Sequence, residues 1–402
     1  MVAMLGFAAM LGLVGVVFFK FREVLPIDQM KVTLSMCQII ASASSVYSIP
    51  WPSLFTRLLD AFQLFLVDVV SLTRANCTRP MSYFTSLVVV LVAFKLILAL
   101  LLGGPWVWHK CQQRRRPRGL SALSPAPGSR RPPSASRRRQ SMVLMIKSIN
   151  WSKVFKTCFL FLFVVYPAVS LKLLRMFNCV EVEDQEYLVA DMRLKCFTSQ
   201  WGGYAVYALV MVGLFVVGLP ATIFMILWRN RRMLFVDAGV KERWGFLYEA
   251  YGETAWWWEV EELVRKLMSS AVVVLFDAGS PFQVTCAVLV SGWAHVIHAT
   301  FKPWGKGTVT YYLQHFSLFT TSFVFLMGLL FKVDSIEQGQ RLADFLSWVM
   351  FLLCVGFLIV AVVVCMRMLV VNLRRRRLQG TGGKSDRVRA VDSRKAFKEV
   401  VP

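Results

Sequence analysis

Negative charge is scarce in this chain. Its 402 residues hold 23 Asp and Glu against 46 Lys and Arg, and charged residues make up only 17% of the total. A soluble domain would carry about a quarter. Catalytic signatures are missing too. There is no nucleophile elbow, phosphate-binding loop, zinc-ligand spacing or dinucleotide fingerprint, so nothing points to an enzyme, a cofactor or a metal. No apolar run carries arginine at every third position, which removes a voltage sensor. Met1–Phe19 lacks a basic n-region and a small-residue cleavage site, so it reads as a membrane span and not as a signal peptide. No internal repeat is visible.

What is present is apolar sequence, 56% of the chain, in blocks near the roughly 20 residues that cross a bilayer. Nine spans are expected: Val2–Phe19, Met30–Ile49, Tyr83–Leu102, Val154–Leu174, Tyr204–Trp228, Leu263–Phe276, Phe282–Thr300, Thr310–Phe331 and Leu342–Met366. The sixth is short and is expected to recruit Val260 and its neighbours. The formal charge of +23 would suggest nucleic acid in a soluble protein. Here the basic residues sit at the ends of apolar runs, so nucleic acid is not an expected partner. They follow every odd span: Lys20 and Arg22, the run from His109 to Gln140, Arg229–Arg232, Lys302 with Lys306, and Arg374–Arg377. Cytoplasmic loops are the basic ones, so all five agree with an outside N-terminus and a cytoplasmic C-terminus. The fold class expected is an all-α polytopic bundle in the plasma membrane or an endomembrane. Its partners are the bilayer and, through the basic segments, anionic headgroups.

That topology places residues 176–200 outside, where disulfides persist. Cys179 and Cys196 are the natural pair, and closing such a loop restrains the unfolded chain by about 3 kcal/mol. Cys77 is also outside. Cys37, Cys158, Cys286, Cys354 and Cys365 fall within spans and read as apolar packing residues. Cys111, beside a basic run, is a weak candidate for palmitoylation.

Four regions are expected. Residues 1–108 hold three spans and an outer amphipathic segment at 53–73. Residues 109–150 form a basic disordered linker with basophilic kinase-like sites at Ser134 and Ser141. Residues 151–370 form a six-span domain, and 371–402 a basic disordered tail. Segment 53–73 has helical apolar spacing interrupted by Asp60 and Asp68, which suits either a pore element or a packed interfacial helix. Lys95 lies mid-span, where a cation needs a partner or water and marks a functional candidate. Glu181, Glu183, Asp184, Glu186 and Asp191 of the outer loop would concentrate cations at an entrance if several subunits assembled; a single copy would be an ordinary solvated loop. Residues 241–262 are expected to form a cytoplasmic interfacial helix, with Trp256, Trp257 and Trp258 at headgroup level and Glu259 beside them. Glu261 with Arg265 and Glu262 with Lys266 have the favourable i,i+4 order. This helix either couples movement between spans or acts as a rigid elbow. His295 and His298 share a face and read as packing or hydrogen-bonding groups. Asn76-Cys77-Thr78 is a glycosylation sequon very close to a span.

An ordered series of segments carries a further signal. "MKVTLSMCQIIASASSVYSIPWP", "VVYPAVSLKLLRMFNC", "GLPATIFMILWRNRR", "FLYEAYGETAWWWEVEELVRKL" and "GSPFQVTCAVLV" resemble the membrane domain of the transient-receptor-potential-like (TRP C-terminal domain) proteins of protists and algae, more distantly similar to fungal TRP-like and flavin-carrier proteins. The resemblance covers about residues 1–370. It implies a multi-pass protein of the cation-channel type, with cations as the permeant species and a homo-oligomer as the candidate assembly. The alternatives are a small-solute, flavin-like carrier, or the membrane anchor of a larger ectodomain. Members usually carry a long outer region before the first span, so this chain is expected to be either short or truncated. The link "KVDSIEQGQRLAD" between the last two spans is too short for a pore helix plus a filter at 1.5 Å per residue. Any conduction path is then expected elsewhere, from residues 53–73 and the third span.

Overall fold

The computed structural model describes residues 24–66, 81–115, 151–276, 279–333 and 340–381. The expected first span, Asp68, Cys77, the sequon, Ser134 and Ser141 lie outside the described residues. Among the described residues the fold is mostly helical, and six helices are long and apolar enough to cross a membrane: Tyr83–Gly104, Val154–Phe177, Ser199–Asn230, Pro281–Phe301, Val309–Lys332 and Arg341–Arg376. The expected second and sixth spans do not reach that standard.

Helix α1 (Ile27–Val46) explains one of these two. Nearly every side chain from Val32 to Ala43 is buried inside the bundle, polar ones included, so α1 faces protein and not lipid. The Ile49-Pro50-Trp51-Pro52 turn ends it, and α2 (Ser53–Phe62) follows. Phe55, Leu59 and Phe62 of α2, at i, i+4 and i+7, are buried against α1, while Asp60 is exposed. The expected amphipathic segment is thus a short packed helix continued by a 3₁₀ turn over Gln63–Leu66.

Helix α3 (Tyr83–Arg115) runs past its expected end at Leu102 and continues through Gly103, Gly104 and Pro105. Helix α4 (Trp151–Leu174) contains Pro167, which removes a ladder donor; close by, the Gln38 side-chain Nε2 donates to the Val164 carbonyl at 2.7 Å. Next comes a three-stranded antiparallel meander that the sequence reading treated only as a loop: β1 (Cys179–Val182), β2 (Gln185–Leu188) and β3 (Asp191–Lys195). Cys179 pairs with Leu188 and Val182 with Gln185. Glu183 and Asp184 both have positive φ, as a two-residue hairpin turn demands. The Cys179–Cys196 disulfide joins this sheet across Cα atoms 6.4 Å apart.

Helix α5 (Ser199–Met211) passes through a π-helical turn at Val212–Val217 into α6 (Gly218–Asn230). The buried Tyr166 hydroxyl donates to the Val216 carbonyl in that turn, at 2.7 Å. Helix α7 (Ala238–Tyr248), a turn, and α8 (Trp258–Ser270) replace the single interfacial helix expected over 241–262. The break falls at Gly252, whose N–H donates to the Pro303 carbonyl at 2.8 Å. Helices α9 (Pro281–Phe301) and α10 (Val309–Lys332) form a hairpin. Ser280 and Thr308 cap them through hydrogen bonds from Gln283 N and Tyr311 N. Helix α11 (Gln340–Thr381) continues beyond Met366, so the first part of the expected disordered tail is helical.

Among the described residues two large apolar cores result, beside two small clusters. One surrounds α1 with α2, α9, α10 and α11; the other joins α3 to α8. Large apolar residues that stay exposed, such as Val92, Leu96, Leu214, Leu289, Leu352 and Ile359, lie on the long apolar helices, as lipid-facing side chains do.

Candidate functional site: a buried polar seam

The apolar bundle encloses three polar stripes with helical spacing. On α1 they are Lys31, Ser35, Gln38 and Ser42. On α8 they are Glu259, Glu262, Lys266 and Ser269, and on α10 Thr310, Gln314, Ser317 and Thr321. All twelve are buried. The three helices run in one direction and meet along these stripes. Near their N-termini, Gln29 Nε2 donates to Thr310 Oγ1 at 2.7 Å. Lys31 Nζ reaches both oxygens of Glu259, at 2.8 and 2.7 Å, and the Tyr251 hydroxyl donates to Glu259 Oε2 at 2.8 Å. Burial pushes the Tyr251 phenol well above its ordinary pKa, and the Glu259 carboxylate adds to the effect, so it stays a donor.

One turn deeper, Glu262 is a hub. Its Oε1 accepts from Gln314 Nε2 at 2.8 Å and its Oε2 from Arg265 Nη2 at 2.6 Å. Deeper still, Lys266 Nζ donates to Gln38 Oε1 at 3.2 Å and lies 3.4 Å from the centre of the Phe163 ring. Lys31, Arg265 and Lys266 face Glu259, Glu261 and Glu262, with Asp28 bordering the same crevice, so opposite charges offset one another along the seam. That balance is what allows ions in such a place. A crevice lined by Asp28, Lys31, Phe163, Tyr251, Glu259 and Glu262, among others, is about the size of one water.

At its far end the seam meets an apolar plug. Tyr47 packs edge-on against Phe325 with ring centres 5.2 Å apart, and Trp51 lies against Phe55 and Phe331. Trp51 approaches Gly328 so closely that a Cβ there would stand 2.7 Å from the indole Cη2.

The residues singled out from the sequence are distributed unevenly over this arrangement. Trp258, Glu259, Glu262 and Arg265 are brought together, but in the bundle interior and not at a lipid interface. Their pairing also departs from the i,i+4 expectation: Arg265 takes Glu262 at i,i+3, and Lys266 takes Gln38. Buried partners on α1, α4 and α10 outcompete the weak exposed pairs. Trp256 and Trp257 stay half-buried against Trp228 and Phe301. Lys95 stands apart, exposed on α3, where its Nζ donates to the Tyr207 hydroxyl at 2.8 Å. Asp60 is remote on α2. In the three-stranded sheet Glu181, Glu183, Asp184 and Glu186 are exposed, while Asp191 accepts from Arg193 and from the Tyr83 N–H. His295 and His298 do not share a partner: His295 meets His315, and His298 the Tyr311 carbonyl. Lys31, Gln38 and Gln314 belong to the seam but were not among the residues singled out from the sequence. A signal was there, polar residues at 3–4 spacing inside otherwise apolar runs.

Against known protein families, the model of the transient receptor potential (TRP) ion channel matches residues 81–390. The chain belongs to the TRP ion channel family. It is a multi-pass membrane protein, in line with its long apolar helices. Within this TRP-family chain the match takes in the α8 and α10 stripes, while α1 precedes it. A curated relative, Cysteine repeat modular protein A of Toxoplasma gondii, is 25% identical over 158 residues, 36% of this chain. The aligned part is 5% of that relative's length. No solved structure matches the chain.

Proposed function

We propose that this TRP-family chain is a cation-permeable channel or channel-like sensor, and that the polar seam is its conducting or gating core. Nine spans with an outside N-terminus and a cytoplasmic C-terminus fit its basic segments, with α1 and α8 as the two protein-covered crossings. The observation that carries the reading is the meeting of three buried polar stripes inside an apolar bundle. Intramembrane ionisable residues are costly and mark ion or proton paths by default. From Lys31 to Ser42 the α1 stripe covers about 16 Å at 1.5 Å per residue, roughly half of a hydrocarbon core of about 30 Å. The remainder is closed by the Tyr47–Phe325 contact and Trp51, an apolar constriction of the kind that gates by dewetting. Glu259, Glu261 and Glu262 attract cations, and Lys31, Arg265 and Lys266 offset those carboxylates in the closed arrangement.

The last two spans, α10 and α11, are joined only by residues 333–339, which leaves no room for a pore helix and filter there. Lys95 and Tyr207 face outward, so they would reach a pore only in an oligomer. The outer carboxylates Glu181, Glu183, Asp184 and Glu186 would act as an entrance ring in that same assembly. The Ser134 and Ser141 region and the basic segments are assigned to anionic headgroups.

The test is reconstitution of the purified chain in planar bilayers. Cation currents are expected. Gln314→Leu, which strips a partner from Glu262, should lower them or change their selectivity. Phe325→Ser, which wets the plug, should raise the open probability. Silent bilayers from well-folded protein, or currents indifferent to both substitutions, would remove this reading. Saturable uptake of an organic solute without current would replace it with the carrier.

A further inference from the structure

Three of the chain's four histidines converge on the α9–α10 hairpin. His295 and His315 place their Nε2 atoms 3.2 Å apart, with ring centres 4.2 Å apart and planes at 73°. His298 lies one turn away, its ring centre 5.8 Å from that of His315. The geometry points to His295 and His315 as a two-histidine site for a transition-metal ion of the zinc or copper class.

A metal about 2.05 Å from both nitrogens, at that separation, subtends about 100°, close to the tetrahedral angle. Turning both lone pairs onto it moves the ring centres to about 5 Å apart. Small changes in χ1 part the two rings, and the broad χ2 torsion aims the lone pairs. In the metal-free pair one ring donates its Nε2 proton to the other. On binding, that proton moves to Nδ1 of the same ring, both Nε2 lone pairs are free, and no net proton is released. His298 is not a ligand, because its Nε2 is engaged with the Tyr311 carbonyl at 3.3 Å and its ring is stacked on Tyr311. Among the described residues no group of three or more His, Cys, Asp or Glu is arranged to hold a metal. The protein therefore supplies two ligands, and water completes the set at these half-buried side chains. His315 Nδ1 has no hydrogen-bond partner, so the outer-shell support that tightens metal sites is missing on that side. The ion is accordingly exchangeable and not structural. It would clamp α9 to α10 beside the Glu262–Gln314 hub. This inference rests on the hairpin alone and not on conduction.

The experiment uses the full chain in lipid nanodiscs, stripped with a chelator and titrated with copper(II) or zinc(II) alone. One ion per chain is expected, copper held more tightly than zinc, with a copper electron-paramagnetic-resonance spectrum split by two imidazole nitrogens. His295→Gln and His315→Gln should each weaken binding at least about tenfold, and His298→Gln should leave it unchanged. Absence of stoichiometric uptake, a spectrum without two nitrogens, or undiminished binding in both ligand variants would overturn the assignment. So would an equal loss in His298→Gln. The wild-type spectrum decides the matter even if a variant does not fold.

Discussion

Removing Lys31 should injure this protein more than removing its partner. Glu259 is fully buried and accepts hydrogen bonds from Lys31 Nζ on both oxygens and from the Tyr251 hydroxyl on one. Lys31→Met leaves that carboxylate with Tyr251 alone. Breaking a buried ion pair from one side costs about 3–5 kcal/mol. In the reverse change, Glu259→Gln, Lys31 is still slightly exposed. It also keeps the Phe159 and Phe163 rings, whose centres lie 5.6 and 5.3 Å from its Nζ. Each such cation–π contact contributes about 0.5–2 kcal/mol, so the expected loss falls to about 2 kcal/mol. Replacing the whole set by Lys31→Met, Glu259→Met and Tyr251→Phe leaves no orphaned group, and stability should return to within about 1–2 kcal/mol of the wild type. Tryptophan-fluorescence melting and denaturant titration in one detergent read all four proteins. Equal stability of Lys31→Met and the wild type, or a larger loss in Glu259→Gln, would refute the reasoning. So would a triple variant as weak as Lys31→Met.

Two further outcomes are expected elsewhere in the fold. Gly328→Ala puts a methyl group 2.7 Å from Trp51 Cη2 and 2.9 Å from Ile49 Cδ1; the overpacking should cost about 1–3 kcal/mol. Trp51→Phe in the same chain should give part of it back, and unchanged melting of Gly328→Ala would mean that the plug is loose. In the three-stranded sheet, the hydrogen bond from Arg193 holds the Asp191 carboxyl below its ordinary pKa, with help from the Tyr83 and Arg193 N–H groups and against burial. The folded-state value is lowered, so the stabilisation is complete above the unfolded aspartate pKa and is lost as pH falls through the folded value. The melting difference between wild type and Asp191→Asn should therefore be largest near neutral pH and fall away as the pH drops through the lowered folded-state value. A pH-independent difference would assign the effect to packing.

Much of this architecture was legible from the residues. Long apolar runs mark α3 to α6 and α9 to α11, because a lipid-facing helix must be apolar around its circumference. The Cys179–Cys196 pair followed from a polar segment bracketed by two cysteines, and the ordered segments pointed to the TRP family. The sheet between those cysteines was not legible. Its strands are four or five residues long and mostly polar, and only pairing makes them strands.

The largest gap concerns the site. Amino-acid composition determined that this chain belongs in a bilayer and that its interior would have to pay for any ion placed there. Which ions share that interior was decided by tertiary structure. Lys31 and Glu259 stand 228 positions apart, as do Gln38 and Lys266. Glu262 shows a choice of partners at i+3 and i+4 that only the packing of α1 and α10 resolves. Helical periodicity fixes which side chains share a face. Which faces meet is fixed by the packing of distant helices, where a buried charge finds its counterpart or cannot stay charged.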